Sequence, residues 1–107
     1  MQDSAQNYID GRWTDAASGR TFETRNPADP TDLLAKVPAS AAEDVDAAVQ
    51  AARTAHADWG STPAPARGKI LKRSGDLLAE RKTEIARTMT REMGKPFFET
   101  KGDVQEA

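Results

Sequence analysis

Only fifteen of the 107 residues are Leu, Ile, Val or Phe, whereas nineteen are Ala, close to half of the forty hydrophobic residues. A self-sufficient core usually draws on a larger share of bulky apolar side chains, about a fifth of the chain or more. Such a shortage signals disorder when net charge is high. Here fifteen basic and seventeen acidic residues leave a net charge of only -2. The two facts together fit ordered helices whose small Ala faces approach another surface closely. Marginal stability is expected for these residues alone.

The last residues point the same way. Val104-Gln105-Glu106-Ala107 reads as the opening turn of a helix, with no Gly, Asn or Pro to stop it. The expectation is the front end of a larger protein.

Charge and composition exclude several classes. Acidic and basic residues are interspersed, without the basic stripe of a nucleic-acid binder or a polybasic membrane anchor. No apolar run approaches the roughly 20 residues that span a bilayer. Met1-Gln2-Asp3-Ser4 lacks the basic and apolar regions of a signal peptide, so a cytoplasmic location is expected. The absence of cysteine excludes a disulfide framework, Cys-ligated zinc and a thiol nucleophile within these residues.

Residues 1–6 carry no pattern and are expected to be disordered. Strands and turns follow over 8–38. Tyr8-Ile9-Asp10-Gly11-Arg12-Trp13 places Asp-Gly between apolar flanks, a hairpin signal, and Ser18-Gly19 marks a further turn. Thr21–Arg25 alternates as a half-buried strand does, with Phe22 and Thr24 on one face. Asn26-Pro27 and Asp29-Pro30 punctuate it. Leu33–Val37 is a third strand, ended by Pro38.

At Ser40 the period changes, and helices are expected over 40–107. Ser40-x-x-Glu43 reads as a capping box. Val45, Ala48, Val49, Ala52, His56 and Trp59 then recur on one helical face, with Gly60 as the stop. A second helix carries Ile70, Leu71, Leu77 and Leu78, with Ser74 and Gly75 leaving room for a close neighbour. A third carries Ile85, Ala86, Met89 and Met93 and closes at Gly94-Lys95-Pro96. A fourth begins near Phe98. The fold class is α/β, about half helical.

No constellation outweighs its plain structural explanation. His56 is the only histidine, so no His triad or multi-His metal site can form, and a structural role is expected. The pairs Asp44/Asp46, Glu80/Glu84 and Glu99/Asp103 have spacings seen in acid–base pairs, but a solvated helix surface is expected for them. Ser18-Gly19-Arg20 and Gly68-Lys69 lack the multi-glycine spacing of a nucleotide loop, and Gly68-Lys69 falls within a helix. Trp13, Trp59 and Phe97-Phe98 are expected as wedges between helices and sheet rather than as a ligand cage. No catalytic or cofactor-binding residue is assigned within the chain.

The order and wording of these pieces resemble the N-terminal segment of the NAD(P)-dependent aldehyde dehydrogenase superfamily. The pieces are Tyr8–Trp13, Phe22-Glu23-Thr24-Arg25-Asn26-Pro27, the strand to Val37-Pro38, the helix ending in Trp59, Arg67-Gly68-Lys69-Ile70-Leu71, and Arg91-Glu92-Met93-Gly94-Lys95-Pro96. Together they cover 7–107, as strands and helices of the family's cofactor-binding domain. The stretch Glu99–Ala107 is similar to members acting on semialdehydes such as those of succinate or 2-oxoglutarate.

The resemblance implies oxidation of a small-molecule aldehyde to a carboxylic acid, through a Cys thiolate, an oxyanion site and a Glu-activated water, with NAD or NADP accepting the hydride. It places those groups and the cofactor-binding motifs downstream of Ala107, and implies that these residues alone are inactive. It implies a homo-oligomer. Some members also hold a structural Na+ or K+ through carbonyls near the Thr-x-Asn-Pro strand and at the Asp after the Gly-Lys-Pro turn; by position these are Thr24, Arg25 and Asp103. The rival readings are a stand-alone protein-binding or scaffolding module without catalysis, and a pseudoenzyme fragment.

Overall fold

A computed structural model describes residues 4–107. Strands come first: β1 (Asn7–Ile9), β2 (Arg12–Thr14), β3 (Thr21–Asn26) and β4 (Asp29–Pro38). Four helices follow: α1 (Ala42–Ser61), α2 (Ala64–Glu80), α3 (Lys82–Met93) and α4 (Phe97–Glu106). The α/β class is as expected, with helices of 20, 17, 12 and 10 residues holding more than half of the chain. The strands form two separate two-stranded sheets, β1–β2 and β3–β4.

The chain divides into two compact units, one formed by residues up to Thr24 with Ala35–Thr62, the other by Arg25–Leu34 with Pro63–Ala107. In the first unit, β1 and β2 pair antiparallel, with Ile9 opposite Arg12 and Tyr8 opposite Trp13. That register leaves Asp10 and Gly11 as a two-residue turn, both at positive φ (52° and 74°). Two consecutive positive φ angles match the twist of the flanking strands, which is why Asp-Gly suits this place. Within the range expected to be disordered, residues 1–3 lie outside the described residues, while Ser4 bridges to Lys36 and the Ala5 N–H donates to the Lys36 carbonyl at 2.9 Å.

Helix α1 starts one residue later than its sequence suggests. Ala41 is the N-cap, and the Asp44 carboxylate accepts the Ala41 N–H at 2.8 Å, the return half of a capping box. Ser40 caps nothing; its hydroxyl accepts a bond from Asn7 Nδ2 at 2.8 Å. The helix also runs through Gly60 to Ser61, with Thr62 as C-cap. The Thr62 N–H and hydroxyl both donate to the Asp58 carbonyl, so an extended Thr ends the helix without glycine.

In the second unit, Pro27 and Ala28 turn the β3–β4 hairpin, and Asn26 Oδ1 accepts the Ala28 N–H at 2.9 Å. Asp29-Pro30 does not interrupt the chain as expected. It opens β4, where proline's missing N–H costs little at the first positions of a strand. Helices α2 and α3 are separated only by Arg81. Gly94 ends α3 in the left-handed region (φ 72°), and Pro96 precedes α4. Residues Val104–Glu106 form the last turn of α4, not the opening turn read from the sequence.

The contact between α3 and α4 is built on small residues. Ala86 and Thr100 are fully buried, and Val104 nearly so. The Thr100 hydroxyl lies 3.0 Å from the Ala86 carbonyl and 2.9 Å from the Thr90 hydroxyl. With one proton of its own, Thr100 donates to the carbonyl and can accept from Thr90, so a polar residue at the tightest point is satisfied.

Candidate functional site

Three charged clusters organise the chain, one in the first unit and two in the second. In the first, Asp44 Oδ1 accepts the Ala17 N–H at 2.8 Å while Oδ2 accepts that of Ala41. The residue is only 9% exposed. The N–H donors of Ala41 and Ala17 hold its carboxyl below the ordinary carboxylate value. Asp44 is therefore not on a solvated face, as its pairing with Asp46 suggested. It joins the turn before β3 to the start of α1.

In the second unit, Asp32 on β4 receives the guanidinium of Arg91 on α3 through two bonds: Arg91 Nε to Oδ2 at 3.0 Å, and Nη2 to Oδ1. Asn26 Nδ2 donates to the same Oδ2 at 3.3 Å. Hydrogen bonding from Arg91 first, then Asn26, lowers the Asp32 pKa. Close by, a Cβ placed on Gly94 would sit 3.2 Å from Pro27 Cγ. The Asn26-Pro27 and Arg91–Gly94 motifs, remote in sequence, thus meet.

The remaining cluster centres on Lys95. Its ammonium lies 2.7 Å from Asp103 Oδ2 and 3.9 Å from Glu99 Oε2. The Asp103 carboxylate, above all, raises the Lys95 pKa. Glu99 and Asp103 thus share a lysine and do not form an acid–base pair. Glu80 likewise takes Arg73 at 3.3 Å. His56 is exposed on α1.

The resemblance implies Thr24, Arg25 and Asp103 as ligands of a monovalent cation. Thr24 and Arg25 lie on β3, where the Arg25 guanidinium donates to the Pro30 carbonyl at 3.1 Å. Any cation at Asp103 would share its carboxylate with the Lys95 ammonium, and the Asp103 carbonyl already accepts the Ala107 N–H at 3.2 Å. Among the described residues, no three His, Cys, Asp or Glu side chains gather as a metal centre. These clusters can brace turns and helix ends; none aims a nucleophile or base at an open cleft.

The motifs that meet at Gly94 are those that carried the resemblance, and the comparison with known sequences decides the matter: residues 13–107 match the aldehyde dehydrogenase family. The chain belongs to that family. An alpha-ketoglutarate semialdehyde dehydrogenase of Haloferax volcanii is 43% identical over all 107 residues, which cover 22% of that protein. An NADP-dependent enzyme of E. coli superposes with a TM-score of 0.91 at 37% identity, over 95% of this chain and 21% of that one. An NAD-dependent aldehyde dehydrogenase of Sinorhizobium meliloti gives 0.92 at 30% identity, over 98% and 21%. The chain thus spans about a fifth of the length of these relatives.

Within this aldehyde dehydrogenase segment, the aromatic residues are not the wedges expected from sequence. Trp13 is 67% and Phe98 75% exposed, with Trp59 and Phe97 partly so. Trp13 packs on its hairpin partner Tyr8, ring centroids 4.9 Å apart. Phe97 lies beneath Arg87 and Lys101, at 6.0 and 5.7 Å. Gly68-Lys69 lies inside α2, as expected, and Ser18 accepts the Arg20 N–H within a turn. No helix among the described residues is long and apolar enough to cross a membrane.

Sequence reasoning missed the Asp32–Arg91 pair. Its members stand 59 positions apart, and although Arg91 opens one of the motifs, no local pattern points from it to Asp32.

Proposed function

We propose that these residues are part of an enzyme that oxidises an aldehyde, specifically a semialdehyde, to its carboxylic acid with NAD or NADP. The identity to a semialdehyde dehydrogenase across the whole of this chain carries the reading. The cofactor supplies the hydride acceptor when bound. Neither glycine motif of the chain is set up as a phosphate cradle: Gly68 lies within a helix, and the Gly19 N–H is already taken by the Ala16 carbonyl. On this reading the reacting groups and the cofactor site belong to polypeptide outside these residues. This segment's part is structural: the Arg91–Asp32 pair and the Gly94 turn fix the helix order that the rest of the enzyme builds on.

The test begins with the coding frame beyond Ala107, where a Glu base followed by a Cys nucleophile is expected. The full-length protein is then supplied with the semialdehydes of succinate, malonate and 2-oxoglutarate, and reduced nicotinamide is followed by its absorbance. Turnover of at least one, abolished by replacing that Cys, supports the proposal. A frame without the Cys, or no turnover with either cofactor, overturns it in favour of a binding module.

A further inference from the structure

A structural Na+ or K+ needs a cage of oxygens with enough negative charge to replace its hydration water. Of the residues that the family resemblance implies for such a cage, Thr24, Arg25 and Asp103, only Asp103 has a negative side chain. That charge already has a partner. Lys95 Nζ lies 2.7 Å from Asp103 Oδ2 and 3.9 Å from Glu99 Oε2, with the Lys95 side chain 31% exposed. The Asp103 carbonyl accepts the Ala107 N–H at 3.2 Å. Local structure brings Lys95 to this place. Gly94 ends α3 in the left-handed conformation, and Pro96, the N-cap of α4, follows Lys95 directly. Helix α4 has a lysine of its own, Lys101, but that ammonium lies over the Phe97 ring at 5.7 Å. Glu99 and Asp103, one turn apart on α4, thus share a cation delivered from the turn before it.

We propose that the Lys95 ammonium takes the place of an alkali cation at Asp103, so that this turn and helix hold together without Na+ or K+. Two cations at one carboxylate repel each other, and the tethered one is favoured. Lys95 is fixed in the chain and acts at a high effective concentration. A free ion arrives only at the salt concentration of the solution and must shed water to bind. The charge-assisted N–H···O bond of the lysine also has a direction that a spherical ion lacks. An alkali ion is what the family resemblance implies here; the contacts around Asp103 favour the ammonium instead.

The full-length protein is melted at equal ionic strength in sodium, potassium and choline chloride, choline being too large to enter an oxygen cage. The quantity read is the part of any Na+ or K+ effect on the midpoint that Asp103→Asn removes. For the natural sequence no such part is expected. Lys95→Gln, read against the same variant with Asp103→Asn added, is expected to acquire a rise of about 2 °C or more, because the carboxylate is then open to the ion. Lys95→Arg restores a cation and is expected to lose that rise again. An Asp103-dependent rise in the natural sequence overturns the assignment. So does a Lys95→Gln protein that ignores the ions. Should Lys95→Gln fail to fold, the sodium NMR line width of the natural protein decides: excess broadening that Asp103→Asn removes overturns the assignment, and equal widths uphold it. None of these readouts requires turnover, so loss of the catalytic reading leaves them intact.

Discussion

Asp44 accepts backbone N–H groups from Ala41 and from Ala17, 27 positions upstream. Half of this role was open to a reader of the sequence. The bond to Ala41 follows from a carboxylate three residues into a helix, although the pattern at Ser40 and Glu43 drew attention to the wrong pair. The bond to Ala17 depends on the path of the hairpin, which no local spacing encodes. The same holds for Asp32, whose donors Arg91 and Asn26 lower its pKa as Ala41 and Ala17 lower that of Asp44. The sign for stability follows. A carboxylate with a depressed folded pKa binds its proton more tightly when unfolded, so its contribution is complete above the ordinary value of 3.8 and fades as pH falls through the lower folded value. Stability is expected to decline on acidification below about pH 4. Asp44→Asn is expected to lower the denaturation midpoint at neutral pH and to flatten that acid decline. An unchanged acid slope in urea titrations at several pH values would contradict this role.

Elements with a local cause were legible. The Asp10-Gly11 turn needs two positive φ angles, and the end of α3 needs one at Gly94; in both places the sequence supplies residues that tolerate them. Boundaries set by tertiary partners were not. Ser40 is taken by Asn7, Gly60 is carried inside α1, and Pro30 sits at the second position of β4, where a missing N–H is tolerated. Gly94 is the position where element geometry is most exposed to a single change. Its φ of 72° is strained for any residue with a Cβ, and that Cβ would stand 3.2 Å from Pro27 Cγ. Gly94→Ala is expected to destabilise by about 1–2 kcal/mol from the left-handed conformation alone, with the Pro27 contact adding to it. Gly75→Ala, in a helix and in open space, is expected to stabilise slightly, by up to about 1 kcal/mol. Denaturation midpoints of the two variants measured side by side check the opposite signs.

For the molecule as a whole, the shortage of bulky apolar residues in the sequence reappears as a shortage of core. The buried hydrophobic residues among those described are Ala16, Leu34, Ala35, Ala86 and Val104, three of them alanines. Large apolar side chains lie open instead, including Tyr8, Trp13, Val45, Ile70, Leu71 and Phe98, each more than half exposed. Burying a side chain of this size contributes about 1.5–3 kcal/mol, and net stability for a domain is only about 5–15 kcal/mol, so leaving several uncovered removes much of the margin. The sequence could show that the faces lacked a partner, but not where they would lie, since that depends on pairings such as Arg91 with Asp32. The 107 residues expressed alone are expected to bind a hydrophobic dye and to melt over a broad range. If these residues belong to a longer dehydrogenase as proposed, in that protein the dye signal is expected to fall and these helices to join a steeper transition, because the same side chains would then be covered. Dye titration and calorimetry on both proteins decide the matter: a sharp melt without dye binding from the short chain would identify a self-contained binding module and remove the structural role assigned to it within a dehydrogenase.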